Sequence, residues 1–316
     1  MSPYGFSSGD PQADRRHGFA EALAASGDME AAAEALAGAL ERAPGWAAGW
    51  HRLGEWRLAS GDRDGAASAW RRALEADPRD RFGARARLDL MSGAPVSESL
   101  PPAYVETLFD QYAPRFDASL TGSLSYRGPQ IVMEVLGRAG FARAARALDL
   151  GCGTGLMGAA LRSSCDHLEG WDISAAMLAR ARARGVYDAL ARRDINALEM
   201  GGPRYDLIAA ADVFTYVGAL ERVVAWCADA LEPGGWFACA LEAGEAGVTL
   251  RETMRFAHAP DYLSALMDQA GFTRVEISAC TLRRERGADV PGLAVMARAG
   301  GRTPDRDRDD TASLTA

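Results

Sequence analysis

The sequence predicts an α/β protein: a doubly wound, mostly parallel seven-stranded sheet ending in an antiparallel hairpin, preceded by an all-α helical module. Three observations carry that expectation. The run Ala147-Leu148-Asp149-Leu150 reads as a strand buried on both faces, and it leads through Gly151-Cys152-Gly153-Thr154-Gly155 into the helix-like Leu156–Leu161. From there, apolar runs of strand length alternate with helical periods. Before it, small and aromatic residues recur at an offset of about 34 residues, as in stacked helical hairpins.

Composition sets the outer bounds. A chain of 316 residues has room for about two domains. With 48% hydrophobic and 25% charged residues it falls in the ordinary globular class. A net charge of −8 argues against nucleic acid as the partner. All 35 basic residues are arginine, so neither a lysine Schiff base nor a lysine general base is available. The five cysteines (152, 165, 227, 239 and 280) show no Cys-x-x-Cys spacing and read as buried free thiols. No spacing of His, Cys and Asp suits a metal. There is no charged-then-apolar leader and no apolar run near ~18 residues, so no membrane association and a cytoplasmic location are expected.

Taken in order, residues 1–16 are polar and Gly/Ser/Pro-rich and are expected to be a flexible N-terminus. Residues 17–91 follow as the helical module. Trp50, Leu53, Gly54, Gly61, Ala66, Trp70, Ala73 and Pro78 are answered one repeat earlier by Arg16, Phe19, Ala20, Gly27, Ala32, Leu36, Ala39 and Pro44. This pattern resembles tetratricopeptide (TPR) repeats, with one strong unit and one degenerate unit. Two units fall short of the ~3 that make a freestanding solenoid, so the module is expected to lean on the sheet domain or on a second subunit. A protein-partner groove and a packing or self-association role both stay open. Arg81–Met91 reads as a capping helix, residues 92–102 as a linker, and residues 300–316 as a disordered tail.

The sheet domain, residues 103–299, opens with aromatics at Phe109, Tyr112 and Phe116 in helical spacing, then an amphipathic helix over Gln130–Leu136. Strands are expected at about 146–150, 168–172, 189–194, 205–211, 236–241, 275–280 and 292–298. Ser174 caps the helix Ala175–Arg184, and Glu232-Pro233-Gly234-Gly235 closes the helix Ala219–Leu231. Tyr262–Ala270 is a further helix, and Arg283–Asp289 reads as a polar bend between the last two strands.

Gly153-Thr-Gly155-Leu-Met-Gly158 with Asp172 beyond it would also suit NAD, and that motif alone decides little. Asp149 ahead of the glycines, the Pro-Gly-Gly turn and the closing hairpin shift the balance. Together with Gly170-Trp-Asp172, Arg193-Asp194-Ile195-Asn196, Tyr205–Asp212 and Leu231–Trp236, in that order, residues 103–298 resemble the class I S-adenosylmethionine-dependent methyltransferases, which have a Rossmann-like fold. Leu108-Phe-Asp-Gln-Tyr112-Ala, Leu124-x-Tyr126-Arg-x-Pro129 and Arg255-Phe-Ala-His258 are similar to a narrower group, bacterial predicted methyltransferases that carry TPR repeats.

The resemblance implies S-adenosylmethionine as cofactor, with a role for each matching residue. Asp172 would accept from the ribose hydroxyls, and Gly151, Gly153 and Gly155 would give the backbone room. Asp194 and Ile195 would meet the adenine, with Met177 packing on it. Asp149 and Asp212 would border the sulfonium, and Tyr112 and Tyr126 would close over the cofactor. Thr154, Ile173 and Ala211 join this cofactor set. For catalysis His258 and Tyr216 are the first choices, with Asp212 and Glu242 as other possible bases. No Asn-Pro-Pro-Tyr-like run follows the fourth strand, which weakens a nucleic-acid base as acceptor. Methyl transfer to a small molecule is expected, with oxygen slightly ahead of nitrogen or sulfur. The alternatives are a protein or peptide recruited by the TPR-like module and, from another class, an NAD-dependent oxidoreductase.

Overall fold

Two helical hairpins begin the protein in a computed structural model that describes residues 7–93, 99–118, 125–285 and 287–301. Helices α1 (Pro11–Ala25) and α2 (Met29–Leu40) form the first, and α3 (Ala47–Ala59) and α4 (Arg63–Ala76) the second. Asp10 caps α1 by accepting from the N–H groups of Gln12 and Ala13 at 2.7 and 3.0 Å. That cap, with Pro11 at the first helical position, starts the helix inside the stretch expected to be loose. The expectation is therefore corrected for residues 11–16, while residues 1–6, 94–98 and 302–316 lie outside the described residues.

The repeat is present in the geometry. Ser26 and Ser60 each donate a hydroxyl three residues back, and Gly27 and Gly61 share the left-handed conformation with φ of 93° and 91°. Asp28 and Asp62 then cap the following helices through Ala31 N and Gly65 N. Leu36 and Trp70 are both fully buried, and the Trp70 indole N–H donates to His51 O at 3.2 Å. Helix α5 (Ala84–Ser92) closes the module and joins it to the rest. Its Ala86 and Leu90 pack with Leu100, Tyr104, Leu250, Met254 and Phe256, and Arg87 donates to Glu252 O at 3.1 Å.

The second part begins with α6 (Pro102–Tyr112), α7 (Phe116–Ala118) and α8 (Gly128–Arg138). It continues with β1 (Ala144–Leu150), α9 (Leu156–Leu161), β2 (Cys165–Asp172), α10 (Ala175–Arg184), β3 (Ala189–Arg192) and β4 (Tyr205–Ala211). Then come α11 (Glu221–Ala230), β5 (Leu231–Glu242), β6 (Val248–Leu250), β7 (Phe256–His258), α12 (Pro260–Gln269), β8 (Phe272–Glu285) and β9 (Ala288–Ala299). The seven-stranded sheet runs β3-β2-β1-β4-β5-β9-β8, with β1 to β5 parallel and β9 antiparallel to both neighbours. This is a Rossmann-like sheet with an antiparallel end.

Helices cover both faces, which is why the central strands read as unbroken apolar runs. Val224, Trp226 and Leu263 pack on one face with Ile208 and Phe237; Val132 and Leu161 pack on the other with Leu207 and Ala238. Strand order reverses between β1 and β4, and a crevice opens at the carboxyl ends there. Cys152, Cys165, Cys227 and Cys239 are buried and free, and Cys280 is half-buried and free. Among the described residues no helix is long and apolar enough to cross a membrane.

Three elements depart from the sequence reading. β5 starts at Leu231, paired with Tyr205, so Glu232–Gly235 forms an irregularity inside a strand rather than a helix stop. The polar bend at 283–289 is instead strand up to Glu285 and again from Ala288, a tight hairpin. Val248–Leu250 and Phe256–His258 form the small antiparallel sheet β6–β7, for which the sequence reading had no strands.

Replacing Trp70 by Ala should lower the stability of the helical module by ~3–5 kcal/mol, the range for emptying a large aromatic site in a core. Denaturant unfolding followed by far-UV circular dichroism checks this; an unchanged midpoint would contradict the packing described.

Candidate active site

A cavity of about 300 Å³ opens where β1, β2 and β4 end, roofed by α6. Pro102, Val105, Leu108, Phe109 and Tyr112 fall on one stripe of α6 and line it, with Phe116 beyond. None of the α6 side chains is fully buried. The apolar face of this helix covers an opening rather than a packed core.

The glycine turn is braced from below. Asp172, at the end of β2, accepts from Gly153 N and Ser174 N, each at 2.8 Å. Gly151 has φ 71°, and a Cβ there would sit 2.2 Å from the Val213 side chain, so only glycine suits the position. Gly151, Gly153, Thr154, Asp172, Ile173, Asp194 and Ile195 all line the cavity. Asp194 also turns the chain beyond β3 by accepting from Asn196 N at 2.9 Å. Burial raises the Asp172 carboxyl above its usual range, against the backbone N–H groups that favour its charge.

Three expected cofactor residues stand off the cavity wall, and their placement is corrected. Asp149 is fully buried behind the turn, where it accepts from the Tyr187 hydroxyl at 2.6 Å. Burial pushes its carboxyl up to about 7, and its Oδ1 has no partner among the described residues. Met177 is fully buried beneath the start of α10, its N–H held by Ser174 Oγ at 3.0 Å. Gly155 turns the chain into α9 beside Tyr187 and Arg184. Tyr187 escaped the sequence reading, yet its ring explains the last glycine of the motif. A Cβ on Gly158 would lie 2.3 Å from that ring.

The opposite end is built on charge. Asp212 has φ 61°, rare for a residue other than glycine, and is held there by its N–H on Ala240 O and by Thr215 Oγ1 on its carbonyl. Its Oδ2 accepts from Arg283 Nη1 at 2.9 Å. Arg283 is 2% exposed and also donates to Glu242 and, at 2.7 Å, to Glu285. Arg255 pairs with Glu285, and Arg251 with Glu242 at 3.0 Å. Burial raises the Asp212 carboxyl to about 6, while Arg283 and Arg255 hold it down. Asp212, Ala211, Tyr216, Arg255 and Arg283 line the cavity; Glu242 does not.

His258 is not a cavity residue, which corrects its expected catalytic place. It sits on β7 with no exposure, its Nε2 at 3.0 and 2.9 Å from the carbonyls of Val217 and Gly218. Burial keeps the imidazole below its ordinary pKa. A neutral ring donating to those carbonyls is a strut for the segment carrying Tyr216.

The roof is tied down by acids of its own. Asp110 of α6 accepts from Ser174 Oγ and Ala176 N at the start of α10. Asp117 of α7 accepts from Thr154 Oγ1 and Arg184, and Glu106 pairs with Arg192. Tyr112 and Tyr126 both line the cavity, and Tyr112 meets Phe116 edge to face at 5.8 Å. Among the described residues no group of three or more His, Cys, Asp or Glu could hold a metal.

A glycine turn over a strand-end acid, at the switch point of a Rossmann-like sheet, is an arrangement that binds nucleotide cofactors. Residues 147–235 match the family model of the methyltransferase domain. Those residues span the glycine turn, Asp172, Asp194 and Asp212, so the chain carries a match to a methyltransferase domain there. Among named proteins it is similar to the ubiquinone biosynthesis O-methyltransferase of Burkholderia cenocepacia, at 33% identity over 98 residues, 29% of this chain and 41% of that protein. The chain therefore spans about two fifths of the length of the curated relatives it matches. Among solved structures it is similar to the DhpI-SAH complex, at 20% identity and a TM-score of 0.47, covering 61% of this chain and 94% of that one. It is also similar to Haemonchus contortus phospholethanolamine N-methyltransferase 2, at 16% identity and a TM-score of 0.46, covering 54% of this chain and 53% of that one.

A carboxyl at about 7 in the fold, against 3.8 when free, binds its proton more tightly in the native state. Asp149 should therefore make the ligand-free protein lose stability as pH rises from about 4 to 7. Asp149→Asn should flatten that part of the profile. Unfolding free energies across this range test it, and parallel curves for the two proteins would refute it.

Proposed function

We propose that the protein transfers a methyl group from S-adenosylmethionine to a small-molecule acceptor, with oxygen favoured over nitrogen or sulfur as the receiving atom. The observation that carries this reading is the roofed cavity, with Asp172 and the glycine turn at one end and Asp212 and Tyr216 at the other. A partly open cavity of about 300 Å³ under an apolar helix suits a small molecule better than a peptide in a trough.

The donor set fits the cofactor. Asp172 presents a carboxylate for the ribose hydroxyls, and Asp194 and Ile195 supply an acceptor and an apolar face for adenine. Gly151 and Gly153 leave backbone room beside the rest, with Thr154, Ile173 and Ala211 on the same wall. When bound, the cofactor supplies a methyl group already activated on a sulfonium, so the protein's main task is alignment.

The remaining work falls to the other end. Asp212 faces the cavity with a carboxylate, which favours a neighbouring cation and can receive the acceptor's proton. Its strained backbone and its bond to Arg283 fix where that carboxylate points. Tyr216 presents a hydroxyl to orient the acceptor, and α6 with Tyr112 and Tyr126 keeps water out. His258 acts through the Val217 and Gly218 carbonyls as a positioning residue.

The helical module fits a packing role. Glu21, Arg52, Glu55 and Arg87 form a ladder of ion pairs across α1, α3 and α5 that ends on Glu252 O. That ladder and the apolar contacts of α5 tie the module to the sheet domain, as expected for two repeats that cannot stand alone. The match to the methyltransferase domain leaves the nicotinamide reading without support.

Calorimetric titration with S-adenosylhomocysteine and, separately, NADH tests the cofactor assignment. S-adenosylhomocysteine should bind and NADH should not; the reverse would sink the proposal. Asp172→Asn, which keeps one accepting oxygen for the turn, should weaken S-adenosylhomocysteine binding by ~1–3 kcal/mol. Transfer of labelled methyl from S-adenosylmethionine to small phenols and amines, absent in Asp212→Asn, would identify the acceptor atom.

A further inference from the structure

Two arginines face the cavity at its Asp212 end, and they are not equivalent. Arg283 is spent: its Nε, Nη1 and Nη2 are bonded to Glu285, Asp212 and Glu242. It is a buried structural cation. Arg255 is different. Among the described residues only its Nη1 reaches carboxylates, Glu285 closely and Glu242 at 3.8 Å. Its side chain keeps 25% of its surface exposed on the cavity wall, and Tyr216 is its neighbour there. Beyond its bonds to Glu285 and to the Tyr216 hydroxyl, the guanidinium keeps N–H groups on the cavity wall for whatever enters.

The charge balance points the same way. At this end the wall carries two cations, Arg255 and Arg283, and one anion, Asp212. Glu242 is off the wall and already engaged by Arg251 and Arg283. The bound sulfonium adds a further positive charge. Behind the wall Glu242 and Glu285 pair with Arg251, Arg255 and Arg283, so the three acids and three arginines of this end balance one another; the sulfonium is the unmatched charge, and an anionic acceptor would offset it. Opposite the arginine, Val105, Leu108 and Phe109 of α6 offer an apolar face, and Phe109 meets the Tyr216 ring at 5.1 Å.

Building on the methyl-transfer reading above, we infer that the acceptor is a small carboxylic acid with a flat apolar body, its carboxylate bound by the remaining N–H groups of Arg255 and its body held under α6. Arg255 is then the residue that selects acids. A guanidinium meets a carboxylate with two parallel N–H donors, a geometry that an amide or ester of the same shape cannot return with equal strength.

The test uses the full chain saturated with S-adenosylhomocysteine and matched pairs of probes: 4-hydroxybenzoate and 4-hydroxybenzamide, 4-hydroxyphenylacetate and its amide, and indole-3-acetate and its amide. Calorimetry or thermal shift reads each. At least one acid should bind about tenfold more tightly than its amide, the scale of a charge-assisted pair. In Arg255→Gln that ratio should fall to about one, and in Arg255→Lys part of it should return. No acid preferred over its amide, or a preference that survives in Arg255→Gln, overturns the inference. So does a loss of S-adenosylhomocysteine affinity in Arg255→Gln, which would assign the arginine to the cofactor's own carboxylate. Failure of the wild-type chain to bind S-adenosylhomocysteine at all is a separate result that removes the methyl-transfer reading itself.

Discussion

A guanidinium buried to 2% exposure can exist only where carboxylates surround it, and Arg283 meets three: Asp212, Glu242 and Glu285. Removing one side of such an arrangement strands a charge away from water at a cost of several kcal/mol. The requirement reaches well beyond the arginine. The end of β4 must deliver Asp212, the end of β5 must deliver Glu242, and the β8–β9 hairpin, through a register shift between Thr281 and Arg283, must deliver the arginine. Asp212 adopts a left-handed backbone conformation to take part. The cavity's shape at this end follows from satisfying one cation.

The roof and the helical module are coupled to the same place. Leu100 N donates to Tyr216 O at 3.3 Å, and Ser99 bridges to Val217, so the segment entering α6 is tied to the loop after β4. Behind Tyr216 lie Leu250, Met254 and Phe256 of the β6–β7 region, and behind those lie Ala86 and Leu90 of α5. The apolar face of α5 that does not pack on the helical hairpins is buried here. The module therefore backs a wall of the cavity, and the three ion pairs across α1, α3 and α5 brace that backing.

How much of this could be read beforehand depends on distance along the chain. The glycine turn, Asp172 and Asp194 were legible because each lies at a strand end whose flanking pattern is local and regular. The repeat was legible for the same reason, down to the paired Gly27 and Gly61 turns. Arg283 was not, because its partner Asp212 is 71 residues away and a charged run beside a glycine looks like a bend. Strands of three residues, such as β6 and β7, leave too short a period to detect. His258 was assigned by residue type and Asp149 by its place ahead of the glycines, and burial, which neither reveals, put both away from the wall. Tyr187 carried no pattern of its own; only the space it takes from Gly158 explains it.

The position of β9 has a consequence for how the protein is made. It is the ninth strand in chain order, yet it lies inside the sheet, between β5 and β8. As synthesis runs from the N-terminus, β5 must wait with an open edge until a strand more than forty residues later in the sequence arrives. The β8–β9 pairing is local and can form by itself, then dock as one unit with Arg283 at its tip. Until it docks, Asp212 and Glu242 lack that cation and repel each other. The cavity's charged end is therefore completed only when the β8–β9 hairpin docks, and a nascent chain cannot hold a finished site before then.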